Sequence, residues 1–330
     1  MKAIVHIGLP KAGSSTLQDF LHQNADALDK QGFCYRRFDP ADMCQREYLS
    51  VVFQTTGRIF DDPVQSVAAK MRTRADVAAR ADALDHWIDA EVARTDADVW
   101  LISNEFLSSV VMRFDGQAAI HDWLTSRFDH VRYVIYLRSQ DSWTVSMYSQ
   151  KLRDGFTDAF PAFLSQTKPR DYAKLANHWA QLAGTENLSV RLLDRSALDQ
   201  GDLILDFCSL VGIDANGLAR PAPRNTSYTR RCADAVRTLN SAVGRVLPRQ
   251  SPLSRAIRKA GRTVAEATLN TGAPITLTPT QREALLGPVA KSNEALRKRW
   301  FADRPTLFDP TPSQPAHAAP APADPARVHM

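Results

Sequence analysis

The opening residues of the chain constrain its fold more than any other stretch. Residues 2–7 (KAIVHI) are short and β-branched, which predicts a strand, and apolar residues recur at helical spacing from Leu17 onward. Between these segments lies a small, hydroxyl-rich loop, Gly8-Leu9-Pro10-Lys11-Ala12-Gly13-Ser14-Ser15-Thr16. Glycines allow a tight turn, consecutive N–H groups point inward, and the start of a helix adds partial positive charge. The pattern predicts a phosphate-binding cradle that contains Lys11.

The two glycines of this loop have the spacing of the nucleoside-triphosphate loop G-x-x-x-x-G-K-[ST], but the lysine does not lie at the position that follows the second glycine in that loop. Ser14 follows Gly13 directly, and the lysine lies inside the loop at position 11. A turn of glycine and serine with a solvated lysine would have the same composition. The loop alone therefore indicates a phosphate without identifying it.

Strands and helices alternate after the loop. Apolar runs predict strands at 32–35, 99–103, 131–137 and 188–193. Helical spacing predicts helices between most of them, including a single helix from roughly 64 to 94, whereas residues 36–63 look irregular. The alternation predicts an α/β fold of the P-loop type, with three α/β/α layers, a central, mainly parallel sheet and an extra helical C-terminal region. Ligands bind such sheets beyond the carboxyl ends of the strands. Lys11, Glu105 and Arg138 follow such ends, so we expect one crevice to contain them.

The composition suits one large globular domain or a domain with an appended lobe, since 44% of the 330 residues are hydrophobic and 23% are charged. We divide the chain into an α/β nucleotide-binding core at 1–223, a helical, basic part of the same domain at 224–308, and a tail at 309–330. The tail is mostly proline and alanine. We expect it to be disordered, because it has too few large apolar residues to form a core.

The formal net charge of +5 suits an anionic ligand and is too small to indicate nucleic acid. Residues 224–262 concentrate arginine against the single acid Asp234. We predict that this stretch lines an acceptor site or contacts an anionic surface such as a membrane; a solvated helix face is the alternative.

The location of the protein is predicted from what its sequence lacks. The four cysteines show no CxxC and no metal-ligand spacing, which favours reduced thiols. No signal-peptide pattern is found, and no apolar run reaches the roughly 18 residues of a membrane span. We expect a cytoplasmic protein.

A second motif lies at residues 134–148 (VIYLRSQDSWTVSMY). A buried strand ends at Arg138, and Ser146 follows within the next predicted helix. The arginine would bind a phosphate through two parallel hydrogen bonds while the serine hydroxyl donates a third. Alternatively, Arg138 caps the edge of the sheet and Ser146 packs between helices.

Together the two motifs resemble those of the sulfotransferases that use 3′-phosphoadenosine 5′-phosphosulfate (PAPS). The chain is most similar to the bacterial branch related to carbohydrate sulfotransferases, over residues 1–308, although Pro10 and a serine-rich loop depart from the usual pattern. The resemblance implies in-line transfer of a sulfuryl group from PAPS to an acceptor hydroxyl without a metal. It favours a carbohydrate or glycan-like acceptor, and a lipid or another small molecule is the alternative. It implies these cofactor-binding residues: Lys11, Ala12, Gly13, Ser14, Ser15 and Thr16 in the 5′-phosphosulfate loop, Arg138 and Ser146 at the 3′-phosphate, and Arg224 in a third motif.

The implied reaction needs a charge stabiliser and a base. Lys11 would stabilise charge on the bridging oxygen of the leaving nucleotide, and Glu105 is the first candidate for the base that accepts the acceptor's proton. Glu105 could instead be a helix N-terminal carboxylate or a partner of Arg138. His6, which we expect to be a core histidine, and Glu47 are the next candidates. A P-loop small-molecule or nucleotide kinase and a non-catalytic nucleotide-binding protein remain as alternative functions.

Overall fold

A five-stranded parallel sheet forms the centre of the computed structural model, which describes residues 1–60, 63–108, 113–222, 227–248 and 251–309. Arg224 and residues 310–330 lie outside the described residues. The strands are β1 Lys2–Ile7, β2 Phe33–Tyr35, β3 Val99–Asn104, β4 His130–Leu137 and β5 Leu188–Leu192. Their order in the sheet is β2-β3-β1-β4-β5, and every neighbouring pair is parallel.

Helices join the strands and continue beyond the last of them. The first nine in the described part of the chain are α1 Ser14–Gln23, α2 Ala25–Asp29, α3 Tyr48–Thr56, α4 Pro63–Ala68, α5 Arg74–Arg94, α6 Arg113–Thr125, α7 Gln140–Arg153, α8 Phe160–Gln166 and α9 Tyr172–Ala183. The others are α10 Leu203–Val211, α11 Arg230–Val246, α12 Pro252–Leu269, α13 Pro279–Leu286 and α14 Ala290–Trp300.

The side chains of β1 alternate between two separate cores. Ala3, Val5 and Ile7 belong to the core that includes residues of α3, α5 and α9, whereas Ile4 belongs to the core with α1 and α10. Because side chains of a strand alternate between the faces of the sheet, the two cores lie on opposite sides of it. The predicted three-layer α/β/α fold is confirmed. A third core joins α7 and α8 to α11 and α12, which is the extra helical region.

Two predictions about the segment between β2 and β3 were wrong. Residues 36–63 are not all irregular, because α3 lies within them and its residues from Tyr48 to Phe53 are buried. A helix that is buried on all sides lacks the apolar periodicity of a surface helix. The single helix expected at about 64–94 is two helices, α4 and α5. The Thr73 hydroxyl accepts from the Asp76 N–H, and the Asp76 carboxylate accepts from the Thr73 N–H. This reciprocal cap begins α5 as a separate helix.

The order of the strands places β1 at the centre, between β3 and β4. Ile7, the last residue of β1, pairs with Asn104 on one side and with Ile135 on the other. From β1 the chain proceeds toward the edge of the sheet that β2 forms, and from β4 it proceeds toward the opposite edge, which β5 forms. The connections therefore lead in opposite directions from β1 and β4, which are neighbours in the sheet. A crevice at such a change of direction is the usual ligand site of parallel sheets.

His6 lies in the core between the sheet and α10, as the sequence predicted. Its ring packs edge-on against Tyr136 and Phe207, and its Nδ1 lies 2.8 Å from the Ser103 hydroxyl. Its Nε2 is buried and has no hydrogen-bond partner in the described part of the chain. Burial lowers the pKa of His6 to about 3, which keeps the ring neutral at ordinary pH.

Because His6 takes up a proton more readily in the unfolded chain, we expect it to destabilise the fold below pH 6.5. The unfolded state binds the extra proton from pH 6.5 down to about 3, so the free energy of unfolding falls with falling pH in that window. Urea unfolding of wild type and His6→Gln at pH 7 and 4.5 should show that the wild type loses roughly 2–3 kcal/mol more than the variant. Equal losses in both proteins would contradict the assignment.

Candidate active site

The loop between β1 and α1 has the shape of an anion cradle. Lys11 and Gly13 have positive φ values of 65° and 87°, and the Ala12 N–H donates to the Leu9 carbonyl oxygen at 3.0 Å. The Gly13 carbonyl accepts from the N–H groups of Thr16 and Leu17, so α1 begins immediately after it. The first N–H groups of a helix lack intrahelical acceptors. They face the cradle with the positive end of the helix dipole.

Gly8 packs so closely that no larger residue fits in its place. A Cβ atom there would lie 2.6 Å from the Ser14 Oγ and 2.8 Å from the Glu105 Cα. The Gly8 N–H donates to the Asn104 carbonyl at 3.0 Å, and the Ser108 hydroxyl donates to the Gly8 carbonyl at 2.5 Å. The loop after β1 is therefore pressed against the 3₁₀ turn Glu105–Ser108 that follows β3.

The Lys11 ammonium points from the loop toward α7. Its Nζ donates to the Gln150 Oε1 at 2.9 Å. Burial lowers the pKa of Lys11 to about 8, and the positive charges of Arg153 and Arg138 act in the same direction, whereas the negative charges of Glu105 and Asp154 act against it. The amine is therefore mostly protonated at pH 7, but it is less basic than an exposed lysine.

Arg138 lies against the same loop. Its Nη1 donates to the Lys11 carbonyl oxygen at 2.9 Å, and its own carbonyl accepts from the Tyr172 hydroxyl at 2.7 Å. Burial lowers the pKa of Arg138. No ion pair joins Arg138 to Glu105 among the described residues. The structure thus brings Lys11, Glu105 and Arg138 together, as expected from the ends of their strands.

The hydroxyl groups predicted to bind phosphate differ in their surroundings. The Ser14 hydroxyl is buried and donates to the Leu9 carbonyl at 3.1 Å, so it closes the loop. Ser15 and Thr16 are half-buried, and Ser146 is buried on α7. The hydroxyls of these three residues have no hydrogen-bond partner within the described ranges, which leaves them available to a ligand. Ala12 is buried and contributes its packing to the loop.

Glu105 begins the 3₁₀ turn, so one of the alternatives weighed for it, a carboxylate at the start of a helical turn, agrees with its position. The Cys44 thiol donates to its Oε1 at 3.5 Å. Burial, together with the negative charge of Glu105, raises the pKa of Cys44 to about 12. The thiol therefore remains protonated and continues to donate to the carboxylate.

Glu47 is fully buried, unlike Glu105. Both of its carboxyl oxygens lack a hydrogen-bond partner in the part of the chain that the structure describes. Burial raises the pKa of Glu47 to about 8. A carboxyl group that is mostly protonated at pH 7 is a poor proton acceptor, so this environment argues against Glu47 as the base.

Sequence reasoning missed Trp143, which contacts the loop, and Arg170, which contacts Trp143 and the turn beside the loop. The Arg170 guanidinium lies 5.7 Å from the Trp143 ring centroid, and its Nη1 donates to the Ser108 carbonyl at 3.2 Å. Trp143 donates through its Nε1 to the Pro10 carbonyl at 2.9 Å. Neither residue could have been assigned from its neighbours, because Arg170 lies in an irregular connection and Trp143 fits an ordinary apolar helix position.

The charges around the crevice are mainly positive. Lys11, Arg138, Arg153 and Arg170 surround the loop or contact its neighbours, and the negative charges that act on Lys11 are those of Glu105 and Asp154. No group of three or more His, Cys, Asp or Glu side chains in the described ranges could hold a metal ion. The arrangement can bind an anion through backbone N–H groups, hydroxyls and fixed cations.

Comparisons with known proteins give little beyond this geometry. No family model matches the chain. An uncharacterized protein from Archaeoglobus fulgidus is 35% identical over 83 residues, which are 25% of this chain and 23% of that protein. The chain thus matches about a quarter of the length of that curated relative. The crystal structure of a sulfotransferase from Alicyclobacillus acidocaldarius has a TM-score of 0.45 and 14% identity, covering 82% of this chain and 96% of its own. We draw no conclusion about activity from a likeness at this level.

Proposed function

We propose that the protein transfers a sulfuryl group from PAPS to an acceptor hydroxyl, in line and without a metal. The observation that carries this proposal is the 2.9 Å hydrogen bond from Arg138 to the Lys11 carbonyl, which joins the two phosphate-type motifs in one crevice. Each motif alone has an ordinary structural explanation. Their contact supports a ligand with anionic groups at both of its ends, as PAPS has.

The donor would lie along the start of α1. The N–H groups at that helix start and the hydroxyls of Ser15 and Thr16 would hold the 5′-phosphosulfate. Arg138 would hold the 3′-phosphate with Ser146, because its guanidinium has five N–H donors and only one of its nitrogens is bonded to the loop. We also propose Arg224 as a 3′-phosphate ligand, from the sequence resemblance alone.

The reaction needs charge stabilisation on one side of the sulfur and proton removal on the other. The S–O bond to the nucleotide breaks, and the bridging oxygen takes up negative charge beside the Lys11 ammonium. The acceptor oxygen forms the new S–O bond, and its proton passes to the Glu105 carboxylate. The contact between Gly8 and Glu105 supports these roles, since it fixes the base next to the loop.

A carbohydrate hydroxyl is the acceptor that the sequence resemblance favours.

The proposed function and its two alternatives differ in the donor that they require. Desalted protein assayed with PAPS, with ATP and Mg²⁺, and with excess chelator separates the functions. A sulfotransferase retains PAPS-dependent transfer in chelator, a kinase requires ATP and Mg²⁺, and a non-catalytic nucleotide-binding protein turns over neither donor.

We predict that 3′-phosphoadenosine 5′-phosphate binds roughly tenfold to a hundredfold more tightly than AMP, because charge-assisted hydrogen bonds to a phosphate contribute about 1.5–3 kcal/mol. Isothermal titration calorimetry measures both affinities. Ser146→Ala should reduce the ratio of the two affinities and leave AMP binding unchanged. Ser142→Ala, on the same helix, is the matched control. Equal affinities for the two nucleotides in the wild type would overturn the assignment of the donor.

The lowered pKa of Lys11 predicts the alkaline side of the pH profile. The kcat/KM for PAPS should fall as the pH rises through about 8, because the free enzyme loses the ammonium charge there. Lys11→Arg should remove this decline, since a guanidinium remains charged, whereas Lys11→Ala should lower kcat by about a hundredfold or more. Lys151→Arg, an exposed site on α7, is the control. An unchanged alkaline decline in Lys11→Arg would assign that pKa to another group.

Glu105→Gln should separate binding from chemistry. We expect the affinity for the desulfated nucleotide to remain within about twofold and turnover to fall by about 10²–10⁴, because the amide cannot accept the proton. Glu47→Gln tests the other carboxyl group in the same assay. The base is the residue whose substitution stops product formation while nucleotide binding stays intact. Normal turnover in Glu105→Gln would exclude Glu105 and direct the search to Glu47 and His6.

A further inference from the structure

Helix α12 packs one of its sides against the protein and leaves an apolar side exposed. Ser254, Arg258 and Ala265 are its buried residues, and they share one side of the helix. On this side Gly261 meets α11, where an added Cβ would lie 2.5 Å from the Leu239 Cδ2. An adjacent side consists of exposed apolar residues at helical spacing, which we name the apolar face: Leu253, Ala256, Ile257, Ala260, Val264 and Ala267.

The apolar face is unusual for the surface of this protein. Leu253 is 57% exposed, Ile257 is 40% exposed and Val264 is 62% exposed, and Val246 at the end of α11 is 79% exposed. With Leu269, these residues make α11 and α12 the main location of exposed large apolar side chains in the described ranges. Single exposed apolar residues need no explanation, but a contiguous row on one helix marks an interaction site.

Positive charge lies on the remaining exposed side of α12, next to the alanine edge of the apolar face. Arg255 and Lys259 are exposed and form what we name the basic strip of α12. Across the described parts of α11 and α12, eight arginine or lysine residues stand against two acids, Asp234 and Glu266. Glu266 is already engaged, because it accepts from the Tyr228 hydroxyl and pairs with Arg153 at 3.4 Å.

We propose that the apolar face and the basic strip bind the surface of a membrane that contains anionic lipids. A helix with exposed apolar residues on one side and arginine or lysine along its flank enters the boundary between headgroups and acyl chains, where the cations meet lipid phosphates. No helix in the described ranges is long and apolar enough to cross a membrane. The helix would therefore lie along the surface.

Charge favours a lipid surface over a second copy of the chain as the occupant of this face. Two copies joined through α12 would bring two strongly cationic surfaces within a Debye length of about 8 Å, where their repulsion is only partly screened. An anionic bilayer neutralises the same cations. The proposal does not depend on sulfuryl transfer, and it is tested without any nucleotide.

Co-sedimentation of the full chain with vesicles tests the proposal. We expect binding to vesicles made of equal parts phosphatidylcholine and phosphatidylglycerol, weaker binding to phosphatidylcholine alone, and a decrease as salt rises. The double variant Leu253→Asp/Ile257→Asp and the double variant Arg255→Glu/Lys259→Glu should each lower the partition coefficient by about tenfold or more. Val67→Asp and Lys30→Glu, at exposed sites elsewhere, are the matched controls.

The substituted side chains are exposed, so we expect both double variants to remain folded, which circular dichroism checks. Three results would overturn the proposal: no vesicle binding by the wild type at low salt, equal loss in the control variants, or binding that both double variants retain. A dimer in sedimentation velocity that Leu253→Asp/Ile257→Asp dissociates would show that a second copy covers the face.

Discussion

The parallel pairing of β1 with strands on both sides is the constraint on which the rest of the structure depends. It places the end of β1 at the middle of the carboxyl edge of the sheet, between the ends of β3 and β4. The hydrogen bond from the Gly8 N–H to the Asn104 carbonyl extends this pairing into the loop. Because Gly8 has no side chain, the loop and the turn at Glu105 can approach each other closely. The candidate site is thus a consequence of strand order and of one small residue.

The sequence predicted the parts of this arrangement that depend on local patterns. β1, the start of α1, β4 and the position of Arg138 each follow from apolar periodicity and from a glycine or an arginine at a strand end. The prediction that Lys11, Glu105 and Arg138 lie close together needed one further rule: the carboxyl ends of parallel strands lie at the same edge of the sheet. The roles of these residues in binding and catalysis remain predictions, as does the role of Arg224, which lies outside the described residues.

The parts that the sequence did not predict depend on contacts between distant segments. Helix α3 was missed because its first six residues are buried between α5 and α6, so that no polar side marks its period there. The sequence did not indicate that the Ser14 hydroxyl donates to the Leu9 carbonyl within the loop, and the role of Ser14 toward a phosphate stays a prediction. Arg170 reaches the turn after β3 from an irregular connection. No local pattern carries such information.

The loop also shows why its lysine can lie before the second glycine. The left-handed conformation of Lys11 costs about 1–2 kcal/mol for a residue with a Cβ, so other interactions must hold it. Arg138 bonds the Lys11 carbonyl, Trp143 bonds the Pro10 carbonyl, and Gln150 accepts from the Lys11 ammonium. Arg138 directly follows β4, and Trp143 and Gln150 lie on α7.

These three bonds organise the cradle before any ligand arrives. An ammonium has three N–H donors, so the bond to Gln150 leaves two for an anion. Burial has already removed much of the water around Lys11, as its lowered pKa indicates. An anion in the cradle would therefore meet the Lys11 and Arg138 cations already held in place, and the protein would need little rearrangement to bind it. The same bonds that offset the strain of the loop fix its charge in place.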